Sequence, residues 1–553
     1  MLFNLDNVAF KENVEALYVD KSGFISFLNE GIIKKQNFVC VVRPRRFGKT
    51  MTCDMLKAYY SNACDSKEIF DNLEVANSQS YSKFLNRFDV VHLNMNLYDD
   101  SDDNSGKIFL RELKADIKES LIEKLDSGMQ EQAKKCRTLG SLVRYIDKNC
   151  LNKFVFIIDE WDLVFRVFPD NSDLQKSYIK ILTTLFKTNF STTHVALAYM
   201  TGILPIKRYS DQSALNNFRE ITMLNPLGTG KFIGFTEAEV KKLCSEYDID
   251  FDKAKYWYDG YKLDGLDIYN PFAVISVASD KNFLRTWSGT ASVEPIAKMI
   301  SKNYENLRED LALMLSGEKL YFRIQSDSSN SLFNLKSKES IFTCLIYLGY
   351  LGYDSEKQQL YVPNEDVRRD LVSAVQKTQV RNKNDIYKVS KKAFEYLLAE
   401  DSKNLASSIA YIHDNYVPVI GYNSEDALRF VVIYSMFYAQ SYYDKPLIEL
   451  HGGKGYLDLC YLPIEGENSK LPAIIFEFKL NKPVSVAMEQ IKNKHYSQVV
   501  DNRVKDVLLV GISYDSKTKE HQCLIEKQII SQDLWFIFCC KIPLECTQCN
   551  FTK

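Results

Sequence analysis

The 553-residue sequence lacks any apolar run that approaches the 18 or more residues of a membrane-spanning helix. Its first residues, Met-Leu-Phe-Asn-Leu-Asp-Asn, lack a basic region followed by an apolar core, so we expect no signal peptide. It also lacks repeats and low-complexity tracts. These absences argue against a membrane protein and predict a cytoplasmic location.

An excess of charge of either sign is missing as well. The chain has seventy Lys and Arg residues and seventy-two Asp and Glu residues. This near balance argues against broad nonspecific binding of polyanions, but it is compatible with a local basic channel. The apolar fraction of 46% and the charged fraction of 26% are typical of a globular protein. At this length we expect two or three domains.

The thirteen cysteines are scattered, many of them within apolar runs, as expected of reduced core thiols in the cytosol. One cluster stands apart, with Cys539, Cys540, Cys546 and Cys549 close together. Four thiols at this spacing could bind zinc. Reduced thiols are the favoured interpretation, because a structural zinc site usually has two paired hairpins.

A phosphate-binding loop is indicated at residues 38–50. Five apolar or small residues are followed by Arg-Pro-Arg-Arg-Phe-Gly-Lys-Thr and then by apolar residues at helical spacing. In such a loop, backbone N–H groups and the helix N-terminus cradle the phosphates of ATP or GTP. Lys49 would reach the β- and γ-phosphates, and the Thr50 hydroxyl would bind Mg²⁺.

The loop departs from the usual G-x-x-x-x-G-K-[ST] form. Arg43 takes the place of the first glycine, and Pro44 removes a donor N–H. Arg45 and Arg46 could offset that loss with positive charge beside the phosphates. An ordinary strand–turn–helix with a basic turn is the alternative. The residues predicted to bind nucleotide in this loop are Arg45, Arg46, Phe47, Gly48, Lys49 and Thr50.

A second apolar run, residues 153–158, ends abruptly in Asp159 and Glu160. A continuous apolar run suits a strand buried in a parallel sheet, and carboxylates at its end lie where open α/β sheets hold ligands. Asp159 would hold Mg²⁺ and Glu160 would polarise the attacking water. A third strand ends at Thr201, a candidate sensor of the γ-phosphate. The alternative for Asp159 is a helix-capping role, and the alternative for Thr201 is a place in an ordinary turn.

These motifs together resemble the AAA-ATPase-like family of many bacterial and some eukaryotic genomes. The resemblance rests on residues 18–21, 43–50, 158–162, 201–206, 257–261 and 269–271. In that family the Arg-Pro-Arg-Arg-Phe-Gly-Lys loop is the usual form, so the missing glycine is a family trait. The resemblance extends from about residue 8 to residue 290 and implies nucleotide binding more strongly than any cellular role.

The middle of the chain is predicted to be mostly helical. Thr236 and Glu239 form a capping-box signature that begins a lid or winged-helix-like region, and the aromatic residues around Trp257 and Tyr261 are expected in its core. Residues 326–331, rich in Ser and Asp, mark a junction. The predicted divisions are a core at 1–230, the lid at 231–330, a helical linker at 331–412 with helices at about 338–350 and 385–412, and a last domain at 413–553.

The last domain carries a second set of charged residues. Glu477 and Lys479 point to one face of an otherwise apolar strand, an arrangement that is costly to bury unless the charges are paired or bind metal. Asp458 lies in the preceding strand, and Gln490 lies in the following helix, ahead of Tyr496. This order is similar to the PD-(D/E)XK nuclease superfamily, which often has another acid upstream, here Glu425.

The residue types suit phosphodiester hydrolysis. Asp458 and Glu477 would bind Mg²⁺, with Glu425 as a further ligand, and Lys479 would orient water or stabilise the phosphorane. Gln490 would position groups of the metal site. AAA-ATPase-like proteins commonly end in such a domain, with Gly-x-x-Asp, Glu-Phe-Lys and Gln-Ile-Lys, all present here. Tyr456 stands at the position where Arg is frequent in such domains. This difference affects how the substrate would be held and leaves the metal ligand Asp458 unchanged.

The sequence therefore predicts an α/β protein, a P-loop ATPase with a helical lid fused to a PD-(D/E)XK nuclease-like domain. We expect ATP and Mg²⁺ as cofactors, DNA or RNA as the substrate, and nucleotide-regulated cleavage. Two other classes stay open. One is a signalling or scaffold ATPase whose last domain binds without cutting, and the other is an oligomeric, ATP-driven remodelling protein.

Overall fold

The computed structural model of the chain describes residues 7–99, 105–206, 214–283, 293–302, 304–324, 335, 337–377, 386–416, 425–452, 455–464, 470–493 and 504–529. Two compact units make up the chain. The first comprises Met1–Leu307 and Lys319–Ala374, and the second comprises Arg308–Glu318 and Val375–Lys553. The four sequence divisions given above stay a prediction.

A five-stranded parallel sheet forms the centre of the first unit, which confirms the predicted α/β class. Its strands are β1 (Phe38–Val42), β2 (Asp89–Asn94), β3 (Phe154–Asp159), β4 (Val195–Gly202) and β5 (Arg219–Ile221). Their spatial order is β2-β3-β4-β1-β5, so β4 lies between the strand of the loop and the strand of the acids. Every residue of β3 and β4 is buried, as expected for strands covered on both faces.

Helices precede the sheet and connect its strands along the chain. They are α1 (Val8–Glu15), α2 (Gly23–Ile33), α3 (Lys49–Tyr60), α4 (Lys67–Phe70), α5 (Tyr81–Phe84), α6 (Lys107–Glu123), α7 (Ser127–Lys134), α8 (Leu139–Asn149), α9 (Leu163–Val167), α10 (Ser172–Phe186) and α11 (Asn189–His194). Helix α3 begins at Lys49, directly after Gly48, whose φ of 81° is in the left-handed region that glycine adopts most readily. The predicted strand–loop–helix is thereby confirmed.

The region after the parallel sheet contains a small antiparallel sheet as well as the predicted helices. Its elements are β6 (Phe235–Thr236), α12 (Glu237–Glu246), α13 (Phe251–Tyr258), β7 (Tyr261–Leu263), β8 (Leu266–Tyr269) and α14 (Pro271–Asp280), with strand order β6-β8-β7. The capping box of Thr236 and Glu239 is confirmed. Tyr261 is buried and Trp257 half-buried, as expected for core aromatics.

A second small sheet follows, in the order β10-β11-β9. The elements of this part are α15 (Val293–Ser301), α16 (Leu307–Leu315), β9 (Leu320–Tyr321), α17 (Lys338–Leu348), β10 (Gly352–Asp354), β11 (Gln359–Tyr361) and α18 (Glu365–Lys377). The predicted junction at residues 326–331 lies outside the described residues.

The second unit holds a mixed five-stranded sheet in the order β12-β13-β14-β15-β16, in which only β14 and β15 pair in parallel. Its elements are α19 (Ile386–Leu398), α20 (Ser402–Tyr416), α21 (Glu425–Ser435), β12 (Leu447–Gly452), β13 (Gly455–Tyr461), β14 (Ala473–Leu480), α22 (Val484–Asn493), β15 (Asp506–Tyr514) and β16 (His521–Ile529). The predicted helix at about 385–412 is two helices, separated near Glu400, whose φ is 58°.

Within the described ranges, no helix is long and apolar enough to cross a membrane. The nine cysteines that are described are all free thiols, in keeping with the prediction of reduced cysteines. The cluster at residues 539–549 lies outside the described residues.

Gly260 gives a test of the packing in the first unit. Its φ is 119°, and a Cβ added there would lie 2.0 Å from the Pro363 carbonyl oxygen. We expect Gly260→Ala to lower the free energy of unfolding by roughly 2–4 kcal/mol, because strain and a backbone clash add together. Denaturant unfolding would measure it. Gly128→Ala is the control, since a Cβ there meets nothing within 4 Å, and we expect no loss; a similar loss in both variants would contradict the packing argument.

Candidate functional sites

The loop between β1 and α3 folds around the Lys49 side chain, which is 5% exposed. Its ammonium donates hydrogen bonds to the carbonyl oxygens of Arg43, at 3.3 Å, and Pro44, at 3.0 Å. Arg46 has a φ of 66°, so two of the three residues before Lys49 have left-handed backbone. This curls the loop over the start of the helix, where backbone N–H groups can face an anion.

The strand of the acids brings its carboxylates to this loop. The Thr50 hydroxyl donates a 2.8 Å hydrogen bond to Asp159 Oδ2, although the two residues are 109 positions apart. Burial raises the pKa of the Asp159 carboxyl above its ordinary value, and the Thr50 hydrogen bond opposes that rise. Two hard oxygen donors in contact at the edge of a parallel sheet are the ligand types that Mg²⁺ prefers.

Glu160 lies beside them in an unusual backbone conformation. Its φ is 54°, a left-handed value that costs a residue with a side chain about 1–2 kcal/mol. The turn directs its carboxylate toward Lys49, with 3.6 Å between Lys49 Nζ and Glu160 Oε1. Glu160 also pairs with Arg166. The loop lysine and both predicted acids are thus brought together.

Thr201, the candidate sensor, is the register partner of Asp159 at the end of β4. Its side chain is buried, and its hydroxyl donates a 3.0 Å hydrogen bond to the carbonyl oxygen of Val41. In this arrangement Thr201 joins β4 to β1, and a direct role at the γ-phosphate stays a prediction.

A cleft of about 350 Å³ opens next to the loop and is largely apolar. Its lining includes the loop itself, residues 45–50, together with Glu160. One wall comes from the segment before the sheet, including Tyr18 and Val19, and the other from the region after it, including Phe235, Phe272 and Ile275. A concave apolar surface beside a polar loop that can surround a phosphate is typical of nucleotide-binding sites.

The wall of the cleft that comes from the region after the sheet contacts the loop directly. The Arg46 guanidinium lies 4.0 Å from the centroid of the Phe272 ring, a cation–π distance. The Phe47 ring packs edge-on against Tyr261, with 5.3 Å between centroids. Asn270 Nδ2 donates a 3.5 Å hydrogen bond to the Arg45 carbonyl. The Tyr-Asn-Pro and Trp-Tyr-Asp-Gly-Tyr motifs therefore pack around the loop.

In the second unit, Asp458 and Glu477 lie on neighbouring strands, directly beyond the last paired residues of β13 and β14. The ladder pairs Leu459 with Phe476, which places Asp458 next to Glu477 across the two strands. Beyond that pair, Asp458 Oδ2 accepts a 2.7 Å hydrogen bond from the Phe478 N–H. The Asp458 carboxylate is therefore held by the backbone N–H of the residue that follows Glu477.

Glu477 is fully buried and Lys479 is 9% exposed. The Lys479 ammonium lies 2.9 Å from Glu477 Oε1 and also donates to the Phe478 carbonyl at 2.8 Å. Since residues i and i+2 of a strand share a face, both side chains lie on one side of β14. The predicted pairing of these charges is therefore present in the fold.

Three further residues were predicted for the nuclease site. Gln490 is half-buried in α22, which packs on the sheet through Met488 and its neighbours. Glu425 begins α21, but its side chain lies outside the described part of the structure, and Tyr496 lies outside the described residues. Their roles stay predictions.

Comparison with known proteins gives two family matches. Residues 9–210 match the family described as predicted AAA-ATPase, and residues 425–522 match the PD-(D/E)XK nuclease superfamily. Both resemblances are confirmed, and the first is confirmed over residues 9–210 of the predicted range of about 8–290. A protein of Azotobacter chroococcum mcd 1, described as an uncharacterized protein in the vnfD 5' region, is 22% identical over 532 residues, which cover 92% of this chain and 95% of that protein.

The AAA-ATPase-like segment contains one contact that the sequence analysis missed. Arg166 bonds Asp162 Oδ2 through Nε at 3.1 Å and also pairs with Glu160. Asp162 is fully buried and accepts from the backbone N–H of Leu204 at 3.1 Å. The i,i+4 spacing of Asp162 and Arg166 is a sequence signal that could have revealed this pair.

Proposed function

We propose that the first unit binds and hydrolyses ATP and that the second unit cleaves DNA or RNA phosphodiester bonds with Mg²⁺. We further propose that the nucleotide regulates the cleavage. The observation that carries the proposal is the meeting of Lys49, Thr50, Asp159 and Glu160 at one edge of the sheet, beside an apolar cleft. The family matches of the two segments support both halves.

Each group at the loop has a distinct task in this proposal. The Lys49 ammonium would contact the β- and γ-phosphate oxygens in place of the loop carbonyls that it now meets. Thr50 and Asp159 would hold Mg²⁺, which would neutralise phosphate charge. Glu160 would orient the attacking water and accept its proton. The pairing with Lys49 and Arg166 keeps Glu160 at the mouth of the cleft.

The walls of the cleft suit a nucleobase and ribose. Aromatic and aliphatic side chains from Tyr18, Val19, Phe272 and Ile275 line it, and burial of a purine between such groups removes apolar area from water. The loop would thus take the phosphates while the walls take the base.

In the nuclease-superfamily segment, Asp458 and Glu477 would hold Mg²⁺, which would activate a water and offset the charge of the scissile phosphate. The residues fit this ion, because both side chains offer carboxylate oxygens at one strand junction. Lys479 would stabilise the charge that develops on the phosphate. Glu425, Gln490 and Tyr496 are proposed to support this site.

Lys49→Ala tests nucleotide binding. We expect the variant to lose the thermal stabilisation that saturating ATP and Mg²⁺ give the natural chain, roughly 3–5 °C at a hundredfold excess over Kd, because the phosphate contact is removed. Thermal unfolding with and without ATP measures it. Lys34→Ala is the control, since Lys34 is an exposed lysine that directly follows α2 and pairs with the exposed Glu30 of that helix. Full stabilisation of Lys49→Ala would refute the loop assignment.

Two other outcomes would redirect the proposal. ATP binding without nuclease activity on either DNA or RNA would favour a signalling or scaffold ATPase. Nucleotide-dependent oligomers, detected by light scattering, would favour a remodelling protein. A cytoplasmic location is part of the proposal, and a homo-oligomer whose assembly does not change with nucleotide is compatible with it.

A further inference from the structure

Three carboxylates outside both sites converge in the region after the parallel sheet. Glu237 begins α12, Asp259 directly follows α13, and Asp267 lies in β8. One oxygen of each lies within 4.8 Å of an oxygen of each of the others. Three separate elements supply them, so the tertiary fold and not a local turn creates the cluster.

A buried hydroxyl faces the same cluster. Tyr269 follows Asp267 by two residues in β8, so the two side chains share a face of the strand. Tyr269 is fully buried, and among the described residues its hydroxyl has no hydrogen-bond partner. Burial raises the pKa of this hydroxyl, and the charges of Asp259, Glu237 and Asp267 raise it further. A buried, unpartnered oxygen close to three carboxylates points to a ligand.

The nearby lysines neutralise the three carboxylates only weakly. Lys241 and Lys255 each lie 2.6 Å from Glu237, and Lys262 lies 2.5 Å from Asp267. All three are 41–55% exposed, and exposed pairs of this kind are weak. In the described part of the chain, no such ion pair reaches Asp259. Burial and the charge of Asp267 raise the pKa of Asp259 to about 6.

We propose that Glu237, Asp259, Asp267 and the Tyr269 hydroxyl form a binding site for a hard divalent cation, and that Ca²⁺ fits it best. Ca²⁺ takes six to eight oxygen ligands in flexible geometry, whereas Mg²⁺ requires near-ideal octahedral geometry and keeps several of its waters. Three carboxylates that come from three separate elements therefore suit the less demanding geometry of Ca²⁺ better than that of Mg²⁺. The proposal does not depend on the ATPase or nuclease activity.

The position of the site gives it a structural consequence. Helix α14 begins at Pro271, two residues after Tyr269, and its Phe272 lines the nucleotide cleft. A cation held by α12, the end of α13 and β8 would fix these three elements together behind that wall.

The test uses the full chain with Asp159→Asn, Asp458→Asn and Glu477→Gln, which remove the ligands of the two proposed Mg²⁺ sites. Tb³⁺ is titrated and its emission is excited through the nearby Trp257 and Tyr269. We expect a saturable signal at one equivalent that Ca²⁺ displaces and Mg²⁺ displaces at least tenfold less well. Adding Asp259→Asn should weaken Tb³⁺ binding at least tenfold, whereas Asp252→Asn, an exposed acid of α13, should leave it unchanged.

Thermal unfolding without metal separates a cation site from a purely structural cluster. Asp259→Asn keeps an oxygen for the Gly260 N–H, which Asp259 Oδ1 accepts at 2.6 Å, and it removes negative charge. We therefore expect an unchanged or higher Tm without metal and loss of the Tm increase that Ca²⁺ gives. Tyr269→Phe should also keep its Tm without metal and bind Tb³⁺ several-fold more weakly. Equal Tb³⁺ binding by the Asp259 and Asp252 variants, or no rise in Tm with millimolar Ca²⁺, would overturn the proposal.

Discussion

Glu477→Gln is expected to abolish Mg²⁺-dependent cleavage of nucleic acid, with a loss of about a thousandfold or more, equivalent to about 4 kcal/mol of transition-state stabilisation. The carboxylate is fully buried beside Lys479 and Asp458, and the amide removes the charge that would hold the ion. The measurement is the rate of cleavage of plasmid DNA and of single-stranded RNA with Mg²⁺, each with and without ATP.

Two matched variants make this result specific. Asp458→Asn should show a comparable loss, because it keeps an acceptor for the Phe478 N–H while removing charge. Glu526→Gln, a half-exposed acid of β16 paired with Lys492, should cleave like the natural chain. ATP-dependent stabilisation should persist in all three, because Lys49 lies in the other unit. Undiminished cleavage by Glu477→Gln would exclude this residue from the nuclease chemistry.

Glu160→Gln should lower ATP turnover by about two orders of magnitude, or about 2.7 kcal/mol, while nucleotide is still bound. The amide cannot accept a proton from water, but Thr50 and Asp159 keep their mutual hydrogen bond at the proposed Mg²⁺ site. Steady-state phosphate release gives turnover, and thermal stabilisation by ATP gives binding.

Glu246 provides the control for Glu160→Gln. Glu246→Gln changes a half-exposed acid at the end of α12 and should leave turnover unaltered. If Glu160→Gln hydrolysed ATP at the natural rate, Glu160 would have no part in orienting water. Loss of ATP binding together with turnover would instead indicate that its pairing with Lys49 holds the loop in shape.

Local sequence predicted the strands and helices that carry the chemistry. The apolar runs before Arg43 and Asp159 are β1 and β3, and α3 begins at Lys49. Strong apolar periodicity and a glycine at a required left-handed position act over a few residues, so such patterns determine an element without knowledge of the fold. The same reason explains why β14 could be anticipated around Glu477 and Lys479.

Longer-range features were not accessible in this way. The predicted helical region after the sheet contains a three-stranded sheet whose strands are two to four residues long, too short to show alternation. The helix predicted at 385–412 is interrupted near Glu400, which has a left-handed backbone conformation. Because this residue is not a glycine, no local sequence signal marks the interruption. Tertiary packing outweighs weak local preference in both places.

The sequence by itself determined the α/β class, the two matched families and the residue types at each site, because these follow from contiguous motifs and from periodicity. Only the tertiary structure decided which walls the cleft beside the loop has, that Arg166 contacts Glu160, and that Asp259 lies near Glu237 and Asp267. Those contacts join segments whose relative positions depend on how the sheet and helices pack. Packing is a property of the whole chain, and no single segment encodes it.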